Sequence, residues 1–104
     1  MIPNTIKVGA QVYRRVKAPP SGDPSPRGET NNRKSQFYLA DDLSLTQQQD
    51  TLLHEVLHMI WDNFPRVDLL NQKDVEETVV SGLSPYLLAV LRDNPRLVEF
   101  LLER

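Results

Sequence analysis

The chain has 104 residues, of which 39% are hydrophobic and 25% are charged, and its formal net charge is −2. This length and composition are typical of one globular domain with a modest core, and no apolar run is long enough to span a membrane. Cysteine is absent, which excludes disulfides and leaves histidine, aspartate and glutamate as the side chains available to a metal ion.

Two short runs near the N-terminus alternate between apolar and polar residues. Ile6 and Val8 share one face of the first run, and Val12 and Val16 share one face of the second. Gly9 lies between the runs, where a glycine permits a tight turn. Period-two alternation on both sides of a glycine predicts two strands joined in a hairpin.

The next segment, residues 18–35, is rich in proline and glycine and is predicted to form a flexible loop. It is followed by QFYLA at residues 36–40, whose apolar and aromatic composition predicts a third strand. The free edge of this strand could pair with an extended peptide. The equally weighted alternative is that Phe37 and Leu39 only pack and the edge is idle.

A capping box, Ser44-x-x-Gln47, predicts the start of a helix that runs to about Asn63 and stops before Pro65. Apolar residues recur at helical spacing along it and predict the face that packs on the core. That face comprises Leu53, Leu57, Ile60, Trp61 and Phe64.

A second capping box, Asp74-x-x-Glu77, predicts a second helix, in which Pro85 is expected to cause a kink or a restart. Asn94 is predicted to cap a short last helix. The apolar faces comprise Val79, Val80, Leu83, Leu87, Val90 and Leu91 in the second helix and Leu97, Phe100 and Leu101 in the last.

The predicted fold is α+β and occupies a single domain, residues 1–104. A small three-stranded antiparallel or mixed sheet packs on the first helix, and two or three further helices follow it. The N-terminus lacks the basic and apolar regions of a secretion signal, so a cytoplasmic location is expected.

Both histidines of the chain, His54 and His58, lie in the first predicted helix in the pattern His-Glu-x-x-His. Residues four apart share one face of a helix, so the two imidazoles can converge on one metal ion. Glu55 is rotated by about 100° from His54, which suits a general base beside the metal better than a ligand. The alternative is a chance pattern of two partly buried, hydrogen-bonded histidines. The capping box and apolar flank of the helix favour the metal site.

A catalytic zinc site needs a third protein ligand and an open position for water. The chain has no further histidine, so the ligand must be a carboxylate, with Asp74, Glu76 and Glu77 as candidates. Glu76 lies on the apolar face of the second helix, where a buried carboxylate without a partner would be costly. Glu77 already serves the capping box. We therefore predict Glu76 as the third ligand and Glu77 as the alternative.

The sequence does not identify the group that stabilises the oxyanion or the natural metal. A tetrahedral oxyanion needs a hydrogen-bond donor besides the metal. Tyr38 and Tyr86 are the hydroxyl-bearing aromatic residues downstream of the loop, and the sequence supports neither. Two histidines and a carboxylate suit Zn²⁺ as the cofactor and also accommodate manganese, nickel or iron.

Four segments cover nearly the whole chain outside residues 18–35: IPNTIKVGAQVYRRV, FYLADDLS, QQQDTLLHEVLHMIW and VEETVVSGLSPYLLAVLRDNPRLVEFL. Together they resemble small zincin-like proteins of phages and prophages, a reduced form of the ImmA/IrrE-type metallopeptidases. The most specific parts are HEVLH and EETVVSGL. The resemblance implies a minimal zincin-like fold and a gluzincin-like site, with His54 and His58 as ligands, a glutamate of the following helix as third ligand, and Glu55 as base.

The resulting prediction is a zinc-dependent metallopeptidase that hydrolyses peptide bonds in a cytoplasmic protein of a phage or its host. Its partner is a protein or peptide substrate, no membrane is involved, and a monomer is the default state. The alternative is a non-catalytic, metal-containing phage protein that binds a host or phage partner. Glu55 favours catalysis, because a purely structural zinc does not need it.

Charge is distributed unevenly, with a net charge of +5 in residues 1–35 and −7 in residues 36–104. A third interpretation is nucleic-acid binding through the basic part of the chain. The absence of interleaved aromatic residues and of a nucleic-acid motif favours a solvated strand face and loop instead. The basic residues concerned are Arg14, Arg15, Lys17, Arg33 and Lys34.

Overall fold

The structure is a computed structural model, and it describes residues 1–63 and 75–104. The α+β class predicted from the sequence is confirmed. The elements in chain order are β1 (Thr5–Val8), β2 (Gln11–Val16), β3 (Gly28–Asn31), β4 (Gln36–Leu39), α1 (Leu45–Asn63), α2 (Val75–Asp93) and α3 (Pro95–Leu102).

Within the described residues the strands form one sheet of four, in the order β1-β2-β4-β3. β1 pairs antiparallel with β2, β2 pairs parallel with β4, and β4 pairs antiparallel with β3. The prediction of three strands is wrong, because β3 lies inside residues 18–35, which the composition predicts as a loop. β3 has no alternating apolar residues and is held by backbone pairing with β4, so periodicity could not reveal it.

The predicted N-terminal hairpin is confirmed. Gly9 lies in its turn with a φ of +60°, a left-handed conformation that glycine adopts without strain. The inward residues are Ile6 and Val8 of β1 and Tyr13 of β2, each exposed by no more than 1%. Val12 points the other way, so the core takes the face of β2 that carries Tyr13.

Helix α1 begins at the predicted capping box. The Gln47 N–H donates to Ser44 Oγ (3.2 Å), and the Ser44 N–H donates to Gln47 Oε1 (3.0 Å). The helix runs to Asn63, as predicted. Local sequence alone therefore defines where this element starts.

The buried face of α1 differs in part from the prediction, of which Ile60 is confirmed as buried. Leu53, Leu57 and Trp61 are each exposed by 38 or 39%, and Phe64 lies outside the described residues. Adjacent apolar pairs along the helix offer two stripes about 100° apart, and the sheet packs on the other one. The buried residues of α1 are Leu52, Glu55, Val56, Met59 and Ile60.

The sequence predicts a kink or a restart at Pro85, and the restart does not occur, because helix α2 is continuous through this residue. Pro85 is exposed, and water can therefore bond to the carbonyl that loses its N–H partner. The predicted apolar face is partly correct, because Val90 is buried and Leu83 and Leu87 pack against the core. The members that stay exposed are Val80 and Leu91.

Asn94 precedes α3 and joins it to the sheet instead of capping it with its side chain. Its Oδ1 accepts a hydrogen bond from the Lys7 N–H (2.8 Å). Its Nδ2 donates to the carbonyls of Lys7 (2.8 Å) and Val90 (2.7 Å). The predicted packing of α3 is confirmed, because Leu97 and Phe100 are each 1% exposed.

One hydrophobic core lies between the inner face of the sheet and the helices. It comprises Ile6, Val8, Tyr13, Phe37, Leu39, Leu52, Val56, Met59, Ile60, Val90, Leu97 and Phe100, with Leu101 packed against it. In residues 1–63 and 75–104, no helix combines the length and apolarity that a membrane span requires.

Candidate metal centre

A cleft lies between the edge strand β3 and the side of α1 that carries the histidines. Its volume is about 310 Å³, so it can admit a ligand much larger than a water molecule, which occupies about 30 Å³. The cleft brings together the three residues of the His-Glu-x-x-His motif with residues of the β3–β4 hairpin. Its lining comprises Gly28, Glu29, Thr30, Asn32, His54, Glu55 and His58.

The two histidines converge, as their spacing predicts. The Nε2 atoms of His54 and His58 lie 3.1 Å apart, and the rings meet edge to face with an interplanar angle of 76°. Two nitrogen ligands of a tetrahedral zinc ion, at 2.0–2.1 Å from it, lie roughly 3.4 Å apart. The spacing therefore fits two ligands of one ion. It equally fits a hydrogen bond between one protonated and one unprotonated ring nitrogen.

Glu55 is a buried carboxylate at the base of the cleft, with 5% of the residue exposed. Its Oε1 accepts a hydrogen bond from Thr30 Oγ1 at 2.8 Å. Its Oε2 lies 4.0 Å from His54 Nε2. One oxygen is thus held by the sheet while the other is turned towards the histidines, which is the arrangement that a general base needs.

Gly28 allows β3 to approach α1 at the level of Glu55. A Cβ atom at position 28 would lie 2.7 Å from Thr51 Cγ2 and 3.3 Å from Glu55 Oε2. The first distance is too short for real atoms, so the Thr51 side chain or the strand would have to move to admit a larger residue. The close approach is what brings the hydroxyl of Thr30 within reach of the carboxylate.

Sequence reasoning missed four residues of the cleft: Gly28, Glu29, Thr30 and Asn32. Three of them, Gly28, Thr30 and Asn32, alternate along β3 and its following turn, so they share the inner face of the sheet. The signal was present as the small and polar series Gly-x-Thr-x-Asn. It was hidden because proline and glycine dominate the composition of residues 18–35.

The predicted third ligands lie in the first turn of α2. Both Glu76 and Glu77 are exposed, and Glu77 Oε1 accepts a hydrogen bond from Ser81 Oγ at 2.8 Å. The expectation that Glu76 is buried on the apolar face is wrong, because α2 turns that position to solvent. The capping residue Asp74 lies outside the described residues.

No three histidine or acidic side chains form a group that could hold a metal ion in the ranges 1–63 and 75–104. The structure brings together His54, Glu55 and His58 and does not bring Glu76 or Glu77 to them. The identity of the third ligand therefore stays a prediction. The two imidazoles and the neighbouring carboxylate are chemically suited to zinc.

The predicted free edge of β4 is wrong, because β4 lies between β2 and β3. The edge beside the cleft belongs to β3. Tyr38 alternates with the buried Phe37 and Leu39, so it faces away from the histidines. Tyr86 lies on α2, where it packs partly against the core. Neither tyrosine lines the cleft.

Comparison of the chain with protein-family models, with curated proteins and with solved structures finds no match. The zincin-like resemblance therefore rests on the residues of the chain itself. Among these, the His54–Glu55–His58 constellation has the clearest geometry.

Proposed function

We propose that the protein is a zinc-dependent metallopeptidase acting on a cytoplasmic protein of a phage or its host. His54 and His58 are the metal ligands, and Glu55 is the general base. The observation that carries the proposal is the position of Glu55. This carboxylate is buried and is held through one oxygen by Thr30. Its other oxygen lies 4.0 Å from His54 Nε2, which is itself 3.1 Å from His58 Nε2.

A bound zinc ion would lower the pKa of a coordinated water molecule and would polarise the substrate carbonyl. Glu55 Oε2 accepts a proton from the attacking water as the water oxygen bonds to the carbonyl carbon. The carbon–nitrogen bond then breaks, and Glu55 returns the proton to the departing amine. The second proton of the water passes from the new carboxylic acid to the amine, so the products at neutral pH are a carboxylate and an ammonium group.

The ligand set is completed by a carboxylate from the first turn of α2, Glu76 in preference to Glu77. Both side chains are exposed, so neither has to leave the core to reach a metal, and Glu77 already accepts a hydrogen bond from Ser81 Oγ at 2.8 Å. Glu76 is preferred because Glu77 would lose its hydrogen bond with Ser81 if its carboxylate turned to a metal.

An extended peptide substrate can pair with the outer edge of β3. Among residues 1–63 and 75–104, no strand pairs with the outer edge of β3, and this edge lies beside the cleft that His54 and Glu55 line. Main-chain pairing at a sheet edge binds peptides with little dependence on their sequence. The substrate class expected on this basis is an unfolded or loop segment of a protein.

Metal content tests the site directly. The protein purified without a histidine tag is expected to hold about one zinc ion per chain by elemental analysis. His54→Ala and His58→Ala should lose it, because each removes a ligand, whereas Glu55→Gln should retain it. A wild type that takes up no zinc after reloading would overturn the proposal.

The same measurement identifies the third ligand. Zinc should be lost in Glu76→Ala and retained in Glu77→Ala, or the reverse if the order is wrong. Glu99→Ala is a matched control, because Glu99 is an exposed glutamate on α3. Retention of zinc in both single variants and in their double variant would exclude both residues.

The second candidate function is a metal-containing protein that binds a partner without catalysis. The exposed apolar side chains of Leu53 and Leu57 on α1 favour it, because such patches mark interaction surfaces. Incubation of the zinc-loaded protein with casein, followed by mass spectrometry, separates the two. New peptides from wild type and none from Glu55→Gln support the peptidase. No peptides from either support the binding protein.

A further inference from the structure

Asn32 is the first residue after β3 and lines the same cleft as His54 and Glu55. It follows Gly28 and Thr30 at the alternate positions that face inward. Gly28 provides the close approach to α1 and Thr30 holds Glu55. The third inward position carries the side-chain amide of Asn32, which has no part in the peptide hydrolysis proposed for Glu55.

A chain of hydrogen bonds fixes which end of the Asn32 amide faces the core. Asn63 Nδ2 donates to the Met59 carbonyl at 2.8 Å, and this identifies it as the nitrogen because a carbonyl can only accept. The same Nδ2 donates to the Tyr13 hydroxyl oxygen at 3.0 Å. The hydroxyl proton of Tyr13 is thereby directed to Asn32 Oδ1, also at 3.0 Å.

Tyr13 is the buried member of this series of hydrogen bonds. Tyr13 is 1% exposed and its ring is part of the hydrophobic core. Burial raises the pKa of Tyr13 above its ordinary value, so the hydroxyl remains a donor at neutral pH. A reversed Asn32 amide would leave this buried proton without its acceptor, which is costly. The carbonyl end of Asn32 is therefore bound to Tyr13 and its NH₂ end is left for another partner.

Among the described residues, no group accepts a hydrogen bond from Asn32 Nδ2. The other side chains of the cleft do not offer a comparable donor. Thr30 gives its one hydroxyl proton to Glu55, Glu29 is an acceptor bonded by the Ser21 N–H, and Gly28 has no side chain. Besides the histidines, Asn32 is the side chain in the cleft with N–H groups to spare.

We propose that Asn32 Nδ2 donates a hydrogen bond to the substrate carbonyl oxygen and to the oxyanion that forms from it. This assignment rests on the proposed metallopeptidase function. It fills the role for which the sequence offered Tyr38 and Tyr86, neither of which lines the cleft. A neutral donor held in place before the reaction stabilises a developing negative charge without reorganisation.

Binding of a tetrahedral anion tests the assignment. The probe is N-phosphoryl-leucine, whose phosphoryl oxygens mimic the oxyanion, titrated calorimetrically into zinc-loaded protein. Asn32→Ala should weaken its binding by about 10-fold or more, because one oxyanion donor contributes 10²–10³-fold to a rate. Asn32→Asp keeps the acceptor for Tyr13 but replaces the donor with a negative oxygen, so it should weaken binding at least as much.

The controls separate this role from folding and from metal binding. Asn4→Ala, at an exposed asparagine outside the cleft, should bind the probe as wild type does. Zinc content should be unchanged in both Asn32 variants. The thermal midpoint should stay near that of the wild type in Asn32→Asp, which keeps the acceptor for Tyr13, and should fall in Asn32→Ala, which removes it. Tyr13→Phe removes the hydroxyl that orients the amide and should weaken binding less than Asn32→Ala.

The two proposals fail in different ways. A wild type without zinc would overturn the metallopeptidase and this role with it. A zinc-loaded wild type that binds the probe no better than Asn32→Ala does would overturn the role of Asn32 and leave the metal site standing.

Discussion

Glu55 and Asn94 are the two polar or charged residues that are buried in the described part of the chain. No buried side-chain nitrogen or oxygen there lacks a hydrogen-bond partner. For Glu55 that partner is a single hydroxyl, from Thr30. A buried carboxylate held by one neutral donor depends on that donor for its stability.

Replacing Thr30 by valine should lower the free energy of unfolding by about 1–3 kcal/mol, because valine keeps the shape but leaves Glu55 Oε1 without its donor. Urea denaturation of the metal-free protein measures the change. Thr30→Ser retains the hydroxyl, so its free energy of unfolding should fall by less than half as much as that of Thr30→Val. Equal stability of wild type and Thr30→Val would mean that water replaces the hydroxyl at no cost.

Among the elements, α1 shows how two equally plausible faces can compete. Leu52 and Leu53 are adjacent and both apolar, as are Val56 and Leu57. The helix buries Leu52 and Val56 against the sheet. The choice of this buried face also determines the arrangement of the cleft. It places Glu55 inward beside Thr30 and leaves the histidines at the open side of the cleft.

A pair of neighbouring substitutions tests the rotation of α1. Leu52→Ala should cost about 2–5 kcal/mol, because it leaves a cavity in the core. Leu53→Ala should cost less than half of that, because Leu53 is 38% exposed. Thermal or urea unfolding of the two variants gives the comparison. The opposite order would mean that the helix packs on the stripe that sequence periodicity favours.

At the scale of the whole molecule, Asn94 ties one edge of the sheet to the helices. Its three hydrogen bonds join β1, the end of α2 and the start of α3, and two of them reach Lys7, 87 positions earlier in the chain. β3 lies at the opposite edge of the sheet, beside the cleft. The side chain therefore closes one edge of the sheet, while the other remains available to a ligand.

Asn94→Ala should lower the free energy of unfolding by about 3 kcal/mol, at about 1 kcal/mol for each hydrogen bond lost. Hydrogen exchange localises the effect, because the Lys7 amide loses its acceptor and should exchange faster. Asn4→Ala is the matched control and should change neither quantity. An Asn94→Ala protein with an unchanged Lys7 exchange rate would contradict the bond.

The features that the sequence determined by itself depend on neighbouring residues. The capping box at Ser44 starts α1 because its bonds span three residues, and Gly9 makes the hairpin turn through its own backbone freedom. His54 and His58 share a face because helix geometry places residues four apart together. These features needed no knowledge of the rest of the fold.

Tertiary structure alone decided the features that depend on distant partners. β3 exists because β4 pairs with it, and α1 buries Leu52 instead of Leu53 because the sheet fits that stripe. Thr30 and Asn32 become site residues only when β3 passes beside Glu55 and Tyr13. In each case the local sequence does not distinguish between the alternative structures. Burial and hydrogen bonding between residues far apart in the chain select one of them.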